Sequence, residues 1–206
     1  MRTINNYDIM RQVAMTRFCG YDPESYRHKP GVRVTEKTVF THFLGMDTQI
    51  SRENGQVTLL SQPADFSETL AVLDWLCDGL PEAAAAGTYC PVSSLPGVFV
   101  RGNGLYMDWA ELAMEIQAQP ERFRQGIVSM GGRVLPLGDL GGEIPVFPGL
   151  FMRIKSYRGD GEFPPSVTLL WDENILSFVR YETVCYQADA LKKRLEVCLR
   201  EGANLQ

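Results

Sequence analysis

The stretch that most restricts the fold lies between Leu150 and Glu173. Leu150–Tyr157 alternates apolar and polar side chains, with Leu150, Met152 and Ile154 on one face, as in a strand with one wet side. Arg158-Gly159-Asp160-Gly161-Glu162-Phe163-Pro164-Pro165-Ser166 then breaks the pattern with a Gly- and Pro-rich turn carrying two acids. Val167–Trp171 follows as an apolar strand that ends in two more acids, Asp172 and Glu173. Short strands linked by turns rather than by helices favour an α+β arrangement over a doubly wound parallel sheet.

The rest of the chain repeats this mixture. Asn6 is placed to cap a helix over 7–18 whose apolar contributors are Ile9, Met10, Val13 and Phe18, with Gly20 ending it. Residues 37–44 are rich in β-branched and aromatic types and predict a strand. Asn54-Gly55 between residues 48–51 and 57–60 predicts a hairpin, since Asn-Gly supplies the positive φ such turns need. Ser67 is expected to cap a helix patterned by Phe66, Leu70, Leu73, Leu76 and Cys77, stopped at Gly79. Short extended pieces are expected around Tyr89 and Val98–Val100. Asp108 with Glu111 resembles a capping box ahead of the face Trp109, Leu112, Ala113 and Ile116. Pro120 suits the first turn of a further helix closed by Gly131-Gly132. Residues 133–148, with three prolines and three glycines, read as irregular. The last helix has one stripe, Val184, Ala188, Leu191, Leu195, Cys198 and Leu199, which must bury somewhere.

At 206 residues and 45% hydrophobic content, the chain suits one domain, 1–206, of short, mostly antiparallel strands and hairpins packed with four to five helices. The C-terminal helix is expected to cover the sheet. No apolar run approaches the roughly 18–20 residues that span a bilayer, and the polar N-terminus lacks a signal core, so a cytoplasmic protein is expected. Net charge is −5, with eight Lys/Arg against seventeen Asp/Glu in residues 46–178. That acidic middle disfavours nucleic acid as a partner.

Candidate chemistry is sparse. Asp160, Glu162 and Asp172 are candidate catalytic acids, but a strand of about five residues, roughly 17 Å, separates Asp172 from the other two. Asp160, Glu162 and turn carbonyls suit a hard cation; a solvated turn whose Asp satisfies backbone N–H groups explains the same residues more simply. Tyr157, Phe163 and Cys90 are candidate ligand contacts. Cys90, in Tyr89-Cys90-Pro91, lacks a neighbouring base and is expected to be a structural thiol. The five cysteines form no C-x-x-C, His28 and His42 are the only histidines, and no metal or cofactor is expected. His42, sharing a strand face with Phe40 and Leu44, reads as a hydrogen-bonded structural residue. Gly102-Asn103-Gly104 lacks the residues of a phosphate-binding loop. Trp75, Trp109 and Trp171 fall at core positions.

Several segments together resemble the DUF3786 family, found mainly in anaerobic prokaryotes. They are Gly87 and Tyr89, Leu95-Pro96-Gly97, Gly131-Gly132, Asp139, Phe147-Pro148, Gly159-Asp160-Gly161-Glu162-Phe163-Pro164 and Leu170-Trp171-Asp172. The likeness runs from Leu44-Gly45 to the C-terminal helix and is strongest over 87–200. Gly161 stands where an acid is common, and Tyr157 where a Trp is usual before the turn. The resemblance implies an association with anaerobic metabolism; some members carry a fused iron–sulfur segment, for which this chain has no cysteine cluster. The resulting expectation is an accessory protein that binds a partner protein or a small cofactor-like molecule. The alternative is a metal-assisted or acid–base enzyme using the carboxylates near Gly159–Pro165.

Overall fold

Two antiparallel sheets and seven α-helices make up the computed structural model, which describes residues 5–98 and 107–202. The first sheet is a simple meander, β1 (Arg33–Val34), β2 (Thr38–Phe43), β3 (Met46–Ser51), β4 (Val57–Leu59) and β5 (Gln62–Pro63), each strand pairing with the next. The second has the order β6-β10-β9-β8-β7, from β6 (Tyr89–Cys90), β7 (Arg133–Leu135), β8 (Leu140–Phe147), β9 (Leu150–Tyr157) and β10 (Ser166–Asp172). This is the expected α+β architecture. The helices are α1 (Asn6–Cys19), α2 (Glu24–Arg27), α3 (Phe66–Asp78), α4 (Ala110–Ala118), α5 (Pro120–Ser129), α6 (Ile175–Phe178) and α7 (Tyr181–Glu201).

The Asn54-Gly55 hairpin forms as expected, with Gly55 at φ +72° and the Asn54 side chain accepting from the Gln56 amide. A tighter turn joins β2 to β3 at Leu44-Gly45, where φ is +49° and +76°. The left-handed Leu44 is fully buried, so core packing offsets the backbone strain. Its amide donates to the Val146 carbonyl of β8, and a Cβ at Gly45 would meet the Met130 carbonyl at 2.3 Å. The tip of the first sheet is thereby inserted into the second, and Phe43, Phe147 and Trp75 stack across the join. One continuous apolar core results, running from Ala14 to Leu199.

The inner face of the second sheet, with Ile144, Met152, Ile154, Leu169 and Trp171, is buried under α4 and α5. The α7 stripe is buried as expected, but against α3, α5 and α4 rather than directly on the sheet it was expected to cover. Trp75, Trp109 and Trp171 are all in the core.

Four expectations are corrected. Residues 133–148 are not irregular but supply β7 and β8. Gly141 and Gly142 stand in the strand because a Cβ would strike Leu137 or Ile127 at 2.6 Å, and Pro145 sits at a bulge beyond the end of β7. The α3 cap is Asp65, which forms a capping box with Glu68; Ser67 is instead buried and donates to Asp189 at 2.6 Å. The α1 cap is Asn5, accepting from the Asp8 amide. Only Ala14 and Phe18 of α1 are buried, while Ile9, Met10 and Val13 are exposed. Of the expected extended piece at Val98–Val100 only Val98 is among the described residues, and Gly102-Asn103-Gly104 lies outside them.

Candidate functional site

A charged row crosses the outer face of the second sheet. Arg133 on β7, Glu143 on β8 and Arg153 on β9 are direct register partners, so their side chains rise side by side. Glu143 is only 5% exposed and both its oxygens are engaged. Oε1 accepts from Arg133 Nε at 3.0 Å and Nη2 at 2.8 Å, and Oε2 accepts from Arg153 Nε at 2.8 Å. One carboxylate faces two guanidiniums, which leaves the row with net positive charge. Arg133 remains 70% exposed, Arg153 28%, and among the described residues nothing accepts from the Nη groups of Arg153.

Local backbone chemistry aims these groups. Gly131, at φ +72°, turns the chain out of α5. Gly132 passes so close to β8 that a Cβ would meet the Glu143 carbonyl at 2.5 Å. Arg133 is thereby delivered opposite Glu143. On the other flank, the Arg153 guanidinium lies 3.7 Å from the centroid of the Tyr89 ring, a cation–π arrangement. Burial, then the nearby Glu143 carboxylate, push the Tyr89 phenol up, so it stays a neutral hydrogen-bonding group. These residues, with Gly87 and the half-exposed Phe151, line a concavity of about 480 Å³.

Asp172 shapes the wall of that cleft. It is 1% exposed, and its Oδ1 accepts from the amides of Ala86 and Asn174, both at 2.9 Å, while Oδ2 accepts from Gly87 at 2.8 Å. The loop before β6 is thus clasped to the end of β10, and Tyr89 is registered opposite Asp172.

The carboxylates singled out from sequence do not converge. Asp160 and Glu162 are at the exposed tip of the β9–β10 turn, and the seven-residue β10, about 20 Å long, separates them from Asp172. Asp160 Oδ1 accepts from the Glu162 and Phe163 amides, both at 2.8 Å, and these bonds hold its carboxyl below the usual range. Gly159 and Gly161 do not occupy the positive-φ region; Gly159 is needed because a Cβ would press on Pro165 at 2.7 Å, and Gly161 faces open space. The turn is moored by the Gly159 amide donating to Gln117 and the Arg158 amide to Asp139. Tyr157 and Phe163 are exposed near this tip, away from the arginine row. Cys90 pairs with Trp171 at the cleft end, and its thiol is pushed up by burial. His42 points to solvent and contacts Asp47, its cross-strand partner, at 3.0 Å. Among the described residues no group of three or more His, Cys, Asp or Glu could hold a metal ion.

The arginine row was missed because β7 and β8 were hidden behind glycines and prolines. The wet face of β9 was visible, and Arg153 on it was the available signal. A concave, net-positive cleft on an α+β scaffold is the class of site this fold presents. The sequence matches the model of the family described as a domain of unknown function (DUF3786) over residues 22–194, and the chain belongs to that family. No curated protein and no solved structure matches it.

Proposed function

We propose that this chain is a cytosolic accessory protein, acting as one α+β domain, that binds a small anionic molecule in the Arg133–Glu143–Arg153 cleft. The observation that carries this reading is the sharing of one nearly buried carboxylate by two arginines at the rim of a 480 Å³ concavity. Such a buried bridge is weak evidence for stability, since desolvation offsets much of the attraction. It does fix the Nε edges of both guanidiniums and leaves the Arg153 Nη groups free to meet a carboxylate or phosphate. Tyr89 and Phe151 supply flat apolar surface beside that charge, which suits a ligand with a ring as well as an anionic group. Five free cysteines accord with a reducing compartment. No described helix is long and apolar enough to cross a membrane. The net charge of −5 argues against nucleic acid.

Calorimetric titration with pyrophosphate, citrate and phenyl phosphate at low salt tests the reading. At least one should bind, phenyl phosphate best, and Arg133→Gln should weaken binding about tenfold. If no probe binds more tightly than about 1 mM, or if the variant binds as well as the parent protein, the cleft is not an anion site.

A further inference from the structure

A second cavity, of about 280 Å³, is lined by Trp75, by residues of the loop after α2 and of the loop after α3, and by the β8–β9 turn. Its walls are apolar, with Trp75, Leu80, Pro148, Leu150 and Phe178 among them, and Lys29 is the basic amine in it. The Lys29 Nζ sits 5.3 Å from the Trp75 ring centroid. It occupies the space left by Gly79, where an added Cβ would come within 2.5 Å of it.

The charged form of this amine has little support. Of the groups facing it, Asp78 is already engaged by Arg17 at 2.9 Å and by Arg180 at 3.0 Å. The Cys77 thiol is pushed up to about 12, chiefly by burial, and is neutral near pH 7. His28, adjacent in the chain, brings no negative charge. The π face of Trp75 remains as a support for the charged form. Burial outweighs these influences and lowers the Lys29 pKa. Two of the other lysines have carboxylate partners: Lys193 is bound to Asp65 and Asp189, each at 2.6 Å, and Lys192 to Glu196 at 2.6 Å.

We propose that Lys29 is a reactive amine that condenses with a small aldehyde or ketone whose apolar or aromatic body fills this pocket. The Nζ lone pair forms the C–N bond while the carbonyl π electrons move to oxygen. A proton passes from nitrogen to that oxygen, giving a carbinolamine. Loss of the hydroxyl with one further proton, as water, leaves the imine, with no change in oxidation state.

The test uses the whole chain, benzaldehyde as the probe and cyanoborohydride as the reductant that traps the imine as a stable secondary amine. Peptide mass mapping then compares the rate of labelling at Lys29 with that at the exposed Lys37. A lowered pKa raises the free-amine fraction near neutral pH, so Lys29 should be labelled faster than Lys37. Unfolding in urea should abolish the difference. Labelling of Lys29 no faster than of Lys37 in the folded protein would overturn the proposal.

Discussion

Replacing Asp172 by Asn changes one atom of the chain and separates a structural acid from a catalytic one. In the native clasp Oδ1 takes two amides and Oδ2 takes one. An Asn can keep its oxygen toward Ala86 and Asn174, but its Nδ2 donor then faces the Gly87 N–H. The variant loses one charge-assisted hydrogen bond and sets two donors against each other at a site 1% exposed. Hydrogen bonds to charged groups contribute about 1.5–3 kcal/mol, so the expected loss is about 2 kcal/mol. For a chain of this size that lowers the melting temperature by about 4–8 °C. Asp172→Ala removes both acceptor oxygens, leaves three buried amides without their partner, and should cost about 3–5 kcal/mol. Urea unfolding followed by tryptophan fluorescence gives the free energies, and amide hydrogen exchange should speed up at Ala86 and Gly87. A catalytic acid held in its ionised form against burial would behave oppositely, with the neutral variant as stable as the parent or more so. An Asp172→Asn protein within about 0.5 kcal/mol of the parent would refute the clasp.

Other outcomes follow from single contacts. Gly45→Ala forces a side chain into both a left-handed conformation and the Met130 backbone, and should destabilise by more than the 1–3 kcal/mol of backbone strain alone, seen as reduced soluble yield and an early thermal transition. Asp160→Ala should lower the melting temperature slightly, and only above the pKa of an unfolded Asp: the folded pKa is depressed, so its contribution disappears as pH falls through that value. Asp74 behaves in the reverse sense. Burial raises its pKa despite bonds from Thr183 and Arg17, so the linkage term favours folding below about pH 4 and fades as pH rises through the folded value, and Asp74→Asn should flatten that part of the stability profile. Truncation after Arg180 removes the α7 stripe and should abolish cooperative unfolding if the chain is one domain; a truncated protein that melts like the full one would contradict that.

Legibility in the sequence tracked how strictly local each signal was. The α7 stripe, the Asn54-Gly55 hairpin and the alternation of β9 depend on neighbours two to four residues away, and all three formed where expected. The β7–β8 pair did not announce itself, because its glycines answer to Ile127 on α5 and Leu137 in a loop rather than to their own strand. The α1 face failed for the opposite reason: Ile9, Met10 and Val13 have helical spacing, but α3 covers only the side bearing Ala14 and Phe18. For the cleft, two of its three charges lay in the segment read as irregular. The acidic turn drew attention through composition, while its hydrogen bonds close largely on itself and on α4 and Asp139.

Tyr89 and its cleft also set an order of events in folding. The first sheet pairs only sequential strands, and β7 to β10 form a second set of neighbours. Such local pairings close small loops and form early. The junction of β6 with β10 is different, since Cys90 must meet Trp171 across some eighty residues of chain. During synthesis the loop before β6 therefore waits without its Asp172 anchor until nearly the whole polypeptide has emerged. In a nascent chain ending before residue 172 the amides of Ala86 and Gly87 lack their Asp172 acceptors, and their hydrogen exchange should stay fast.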